Sequence, residues 1–203
     1  AITPVATNRE AQSAFVKNIL SAKTNKIQPE FVNFNSAIRK MDLKGNIPLY
    51  MVGNEENDLF SISYVYDIGI ASDKRLPVLA QYLNYLGTDK ISAAALQEEF
   101  YKLGSSFSAT ATEEEFVISM SGLSQNFEKS VALLENFLQK VKSDESALKN
   151  LIADIEKKRA NAKLNKNELL GRLTTYARYG AVSPSSWVLS SAELKALTGE
   201  ELT

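Results

Sequence analysis

Glu113, Glu114 and Glu115 are the densest run of carboxylates in the sequence and the first place to look for a cation. Hard-cation loops, however, space their oxygen ligands across about a dozen residues, and neighbours on a tight turn point in different directions. The run therefore reads as a solvated turn, as does the acidic "GNEENDLF" at 53–60. The Ser-rich "GSSFSATAT" at 104–112 offers hydroxyl nucleophiles, but no Gly-x-Ser-x-Gly elbow presents them. Lys157, Lys158 and Arg159 lie beside Asp154 and Glu156, where i,i+4 pairing on an exposed helix accounts for them without a phosphate partner. Tyr64, Tyr66, Tyr82 and Tyr85 could line a pocket, although periodicity assigns most of them to core.

What is missing weighs more. The 203 residues include no His and no Cys. There is no thiol nucleophile, no imidazole base, and no common zinc ligand other than carboxylate. Disulfides are excluded, which fits a reducing or an oxidising compartment equally. With 23 basic and 24 acidic side chains the net charge is −1. That balance argues against nucleic acid or an anionic membrane as the main partner. No apolar run approaches the roughly 20 residues of a membrane span, and no basic-then-apolar leader is present.

The elements that would position these groups follow from hydrophobic period. Ala14, Phe15, Ile19 and Ala22 have helical spacing and lead into a polar tether; a helix packed on the core is an equally open reading. Two short strands flank Lys44-Gly45-Asn46. Phe60, Ile62, Tyr64, Tyr66 and Ile68 alternate with polar residues, the pattern of a half-buried strand. Ser72-Asp73 is the expected N-cap of a helix that buries Val78, Leu79, Tyr82, Leu83 and Leu86, with Pro77 in its first turn and Gly87 at its end. Ser92 starts a second short helix closed by Gly104. Two strands joined at Thr112–Glu115 follow, with Phe116, Ile118 and Met120 on one face of the second. Ser124 is the expected cap of a helix with a stripe of Phe127, Val131, Leu134, Leu138 and Val141. A long helical pattern from Glu145 to Tyr179 is interrupted by the polar "KKRANAKLNKNE", and Gly180 and Pro184 end it. A capped short helix follows, with another beginning at the last residue. The order predicts an α+β fold, a mainly antiparallel sheet with helices on one face.

The run "LPVLAQYLNYLGTDKISAAALQEEFYKLGSSFSATATEEEFVISMSGL" at 76–123 resembles the pitrilysin/insulinase metallopeptidase family. There, a helix bearing the inverted zinc motif His-x-x-Glu-His ends in Gly-Thr, and a short helix then leads to Leu-Gly-Gly-x-x-Asn-Ala-x-Thr. Gly87-Thr88 and "KLGSSFSATAT" from Lys102 to Thr112 hold those places, and "YARYG" at 176–180 and "LSSAELKALTGEEL" at 189–202 extend the likeness. Counting back from Gly87-Thr88, the resemblance places the first zinc histidine on Val78, the glutamate on Gln81 and the second histidine on Tyr82. The family's distal glutamate ligand would fall near Asp154 or Glu156. Valine, amide and phenol supply neither the imidazoles nor the general base that the motif needs. The site is expected to be degenerate, with the replacements at 78 and 82 serving packing.

Family members pair a zinc-bearing half with a degenerate half around a peptide. The resemblance thus implies a non-catalytic domain of a long single-chain zinc metalloendopeptidase, walling the substrate chamber and positioning peptide. Residues 1–26 would be a linker helix and tether, and residues 27–203 a single inactive domain truncated at its C-terminus. This chain would hold no zinc and no other cofactor; zinc would sit in the catalytic half of the same polypeptide, the expected partner beside the peptide substrate. No nucleic acid and no membrane span are expected. The resemblance favours the periplasm slightly over the cytoplasm. A structural subunit and a free-standing binding module without peptidase activity are the alternatives.

Overall fold

A computed structural model describes residues 11–24, 27–29, 31–183 and 186–203. The chain divides into two units, residues 1–53 and 54–203.

In the first unit, helix α1 (Ala14–Ser21) is capped by Ser13, whose Oγ accepts from the Val16 N–H. A single turn, α2 (Phe34–Ala37), precedes a hairpin of β1 (Arg39–Leu43) and β2 (Ile47–Met51). Leu43 pairs with Ile47 across Gly45 and Asn46, which both take positive φ, 86° and 58°. Asn tolerates that region better than other side chains, so this turn is written in the sequence. None of the described residues of this unit is buried. Parts of the expected tether, residues 1–10 and 25–26, lie outside the described residues, as does Pro184.

The second unit is built on an antiparallel sheet in the order β3 (Leu59–Tyr66), β6 (Phe116–Leu123), β5 (Ser105–Ala111). Register puts Ile62 opposite Met120 and Tyr64 opposite Ile118, with Phe107 and Ala109 on the other flank of the same two residues. This apolar face packs against α3 (Leu76–Tyr82), α4 (Ala93–Lys102) and α5 (Phe127–Gln139). Phe107 contacts both Phe100 of α4 and Phe137 of α5, at ring separations of 5.3 and 5.6 Å. The opposite face is a hydroxyl ladder: Ser61 and Ser106 flank Ser121, and Ser63 and Ser108 flank Ser119. Ser63 and Ser119 share a hydrogen bond of 2.8 Å. Period-two alternation thus yields one dry and one wet face, and the α+β class expected from the element order is the one observed.

Several local expectations need correction. The N-cap of α3 is Arg75, not Ser72 or Asp73; the Asp73 carboxylate instead accepts from the Arg75 N–H and from its guanidinium, which holds Asp73 below the usual carboxylate range. Ser124 does not cap α5, because a 3-10 turn over 124–126 intervenes and Asn126 holds the N-cap position. The α5 stripe is also displaced. Phe127 is exposed at 40%, while Ser130 and Phe137 are fully buried beside Leu134. Both stripes keep helical spacing and share Leu134, but the buried one runs through Ser130 and Phe137, one position before Val131 and Leu138.

The long helical pattern breaks at its polar middle into α6 (Glu145–Ala162) and α7 (Lys166–Tyr179). Asn165 makes the second start, its Oδ1 accepting from the Asn167 and Glu168 N–H groups. Two short helices end the chain, α8 (Ser191–Ala196) and α9 (Gly199–Leu202), each with a reciprocal capping box, Ser190 with Glu193 and Thr198 with Glu201. A two-residue ladder joins β4 (Gly87–Thr88) to β7 (Val141–Lys142), so the end of the α3 segment is tied to the link between α5 and α6.

Candidate functional site

Helix α3 presents Val78, Gln81 and Tyr82 in three different ways. Val78 is 5% exposed and Tyr82 0%, so both point into the core. Gln81 is exposed, and its Nε2 donates to the Pro77 carbonyl of its own helix at 3.0 Å. The Tyr82 hydroxyl donates to the Asp144 carbonyl at 2.8 Å and accepts from the Asp144 N–H at 2.7 Å. Burial pushes the Tyr82 phenol up, and the Asp144 N–H partly offsets this. Asp144 is also the N-cap of α6, its Oδ1 accepting from the Ala147 N–H. One phenol therefore stitches the α3 core to the start of α6.

The two candidate acids of α6 do not converge on α3. Asp154 is exposed and lines a depression with Asn84, Tyr85, Ala93 and Gln97. Glu156 is turned towards α8, where both carboxylate oxygens accept from Ser191 Oγ at 2.9 and 3.0 Å. Among the described residues no group of three or more His, Cys, Asp and Glu could hold a metal ion. By donor chemistry alone, Val78, Gln81 and Tyr82 do not fit zinc.

The remaining candidates are placed as follows. Glu113 to Glu115 form an exposed turn in which Thr112 Oγ1 accepts from the Glu115 N–H, and the backbone carbonyls of Thr112 and Glu113 receive Ile70 and Ala71. Ser106 and Ser108 stand on the hydroxyl ladder, and Ser105 Oγ turns inward to the Phe100 carbonyl. The tyrosines correct the expectation of a mainly core set: Tyr82 is buried and Tyr64 half-buried, but Tyr66 and Tyr85 are 47% and 51% exposed. Tyr64 donates to Glu135 Oε1 at 3.1 Å, and burial first, then the Glu135 charge, pushes its phenol up to about 12.

The feature that the sequence reading missed is the surface of α7. Its Leu169, Leu170, Leu173 and Tyr176 have core-like spacing, yet none is buried, and Leu173 and Tyr176 are 65% and 62% exposed. Leu169, Leu173 and Tyr176 line a depression of about 570 Å³ that continues past Gly180 to Ala181 and Ser186. Arg172 borders it, and also borders a second depression of about 520 Å³ with Glu156, Arg159, Lys163 and Val188. The i,i+4 pairing expected for the basic cluster is not formed: Arg159 sits 3.7 Å from Glu156, an i,i+3 partner, and donates to the Leu189 carbonyl, while Lys157 and Lys158 make no ion pair among the described residues. An amphipathic stripe reads the same in sequence whether a core or a ligand covers it, so no signal could have separated the two.

The family model for the insulinases (peptidase family M16) matches residues 79–182, just over half of the chain. The chain belongs to the insulinase family. No curated protein matches it. Among solved structures, this insulinase-family chain is similar to the peptidase M16 inactive domain from Pseudomonas fluorescens, with a TM-score of 0.68 and 18% identity over 81% of the chain and 42% of that structure. It is similar to the periplasmic protease PqqL from Escherichia coli, with a TM-score of 0.68 and 12% identity over 99% of the chain and 22% of PqqL. The ferredoxin protease FusC, in complex with Arabidopsis ferredoxin, matches at 0.68 and 15% identity, over 90% of the chain and 22% of that one. At such identities the likeness is one of fold, and the chain spans between 22% and 42% of the length of these three. Within the family's fold, the Gly-Thr pair has a local reason. A Cβ on Gly87 would run into the Ile91 carbonyl, to which the Thr88 N–H donates at 2.9 Å, and Thr88 Oγ1 accepts from the Lys90 N–H.

Proposed function

We propose that this chain is the non-catalytic half of a longer single-chain zinc peptidase of the insulinase family, with residues 27–203 as one inactive domain after a linker of residues 1–26. It walls the substrate chamber and positions peptide for a zinc-bearing half of the same polypeptide. The observation that carries this reading is the fate of the expected zinc positions, Val78 and Tyr82. Both are core residues, and the Tyr82 hydroxyl is consumed by the Asp144 backbone. That arrangement keeps the helix and its Gly-Thr end while leaving no donor for a metal. The exposed apolar face of α7 supports a peptide-handling role, since a monomer would otherwise bury it. FusC in complex with ferredoxin supports a polypeptide substrate for the whole protein, and PqqL a periplasmic setting.

A domain without metal helps catalysis by holding substrate in line and excluding water once closed on the active half. The test is reconstitution. The zinc-bearing half is assayed on a quenched peptide with and without this domain. Weak activity alone and a clear rise on mixing is the expected result. Full activity of the zinc half alone would make this domain a structural passenger and end the chamber reading.

A further inference from the structure

Between Lys157 and Gly180 the chain carries seven basic side chains, Lys157, Lys158, Arg159, Lys163, Lys166, Arg172 and Arg178, against a single acid, Glu168. That stretch is net +6 in a chain whose total is −1, so the near-neutral whole conceals segregated charge. Of the seven, Arg159 alone has an ion-pair partner among the described residues, Glu156, and Arg178 lies 6.0 Å from the centre of the Tyr179 ring. Solvent screens each such charge, but a cluster on one surface sets up a positive potential that its own fold does not neutralise. Glu156 lies in the same depression and keeps its charge, so three cations, Arg159, Lys163 and Arg172, line it against one carboxylate. Next to the basic depression, across Arg172, runs the apolar one of Leu169, Leu173 and Tyr176.

We infer that the surface spanning the end of α6 and α7 binds an acidic, partly apolar polypeptide segment, with its carboxylates at Lys163, Lys166 and Arg172 and its apolar side chains on Leu169, Leu173 and Tyr176. The inference deepens the peptide-positioning role proposed above and rests on it for the occupant being polypeptide. Charge complementarity selects the acid. The mainly aliphatic lining favours peptide over single-stranded nucleic acid, which needs aromatic platforms on which its bases stack. Such a surface biases the whole protein towards substrates with acidic stretches. It does so through association and its salt dependence, without touching the cleaved bond.

The experiment uses the 203-residue chain and two fluorescent peptides that differ only in Glu against Gln, each carrying the same leucines. By anisotropy at low salt, the Glu peptide binds about tenfold more tightly, a difference of ~1.4 kcal/mol, and the gap closes as salt rises. The combined Lys163→Glu, Lys166→Glu and Arg172→Glu variant removes the preference. Lys129→Glu on α5, outside the surface, leaves it intact. Circular dichroism checks that the variant folds, and should the triple reversal unfold, the triple Gln variant takes its place with the same expectation. Equal binding of the two peptides overturns the inference, as does a preference that survives the triple variant. Tighter binding to anionic vesicles or to a DNA oligonucleotide than to the Glu peptide overturns it, and so does self-association that the triple variant abolishes. If the Glu preference fails while reconstitution succeeds, only this inference falls. If reconstitution fails while the Glu peptide binds, the chamber reading falls instead.

Discussion

The Tyr82 hydroxyl bonds both ends of the Asp144 backbone unit that begins helix α6, donating at 2.8 Å and accepting at 2.7 Å across 62 residues of sequence. The phenol, at a position where the resemblance leads one to expect a zinc histidine, acts as a structural clasp. Its two contributions separate by mutation. Tyr82→Phe keeps the ring but strands the Asp144 N–H and carbonyl, at a cost of about 1–3 kcal/mol. Tyr82→Ala also empties the core and costs about 3–5 kcal/mol. Urea unfolding of both variants checks the order, and a Phe variant as stable as the parent would mean that water replaces the clasp.

Gly199 should tolerate no side chain. A Cβ there would lie 2.7 Å from the Tyr82 hydroxyl, 2.9 Å from Ser143 Cβ and 3.0 Å from Glu145 Oε1, the same oxygen that accepts from the Gly199 N–H. Gly199→Ala is expected to cost about 1–3 kcal/mol through overpacking, seen as a lower Tm. The stability cost should shrink in Tyr82→Phe, where the closest atom is gone.

Much of this architecture is legible in the sequence because it rests on local rules. The Gly45-Asn46 turn, the alternation of Phe116, Ile118 and Met120, and the Ser92 cap each follow from period or backbone chemistry within a few residues. What escapes is set by partners distant in sequence. Nothing near Tyr82 announces Asp144, and α7 carries the stripe of a core helix although its Leu173 and Tyr176 face outward. Caps fail for a similar reason. Asp73 and Ser124 are good capping residues, but Arg75 takes up the Asp73 carboxylate, and a 3-10 turn sets Ser124 apart from the first turn of α5.

Dialysed protein should carry no stoichiometric zinc, because the chain has neither His nor Cys and no cluster of three acids forms among the described residues. Introducing Val78→His and Tyr82→His together should lower stability, since it breaks the clasp and buries two imidazoles at core positions. Metal analysis and thermal unfolding, with and without zinc, check both. One tightly held zinc per chain in the parent protein would refute the degenerate-site assignment.

Ser130 offers a gain. Its Oγ is fully buried on α5 and has no hydrogen-bond partner among the described residues. An unsatisfied buried hydroxyl costs about 1–3 kcal/mol, so Ser130→Ala is expected to raise the unfolding midpoint or leave it unchanged, with no change in the slope of the denaturant transition. A clear loss would show that a bound water satisfies the hydroxyl.

Alkaline stability should depend on Tyr64. Its phenol is pushed up to about 12 by burial and by Glu135, against an ordinary value of 10.0. The folded state therefore holds the proton more tightly than the unfolded chain does. The stabilisation is present in full below pH 10.0 and is lost as pH rises through about 12, where the phenolate charges beside Glu135. Tyr64→Phe has no proton to lose, so its unfolding midpoint should fall less steeply than that of the parent across this window. Glu135→Gln tests the cause: removing the carboxylate takes away the second largest effect and the charged acceptor, so the Tyr64 ultraviolet titration should move down while burial keeps it above 10.0. An unchanged titration in Glu135→Gln would assign the whole shift to burial, and identical alkaline curves for Tyr64→Phe and the parent would remove Tyr64 from the account.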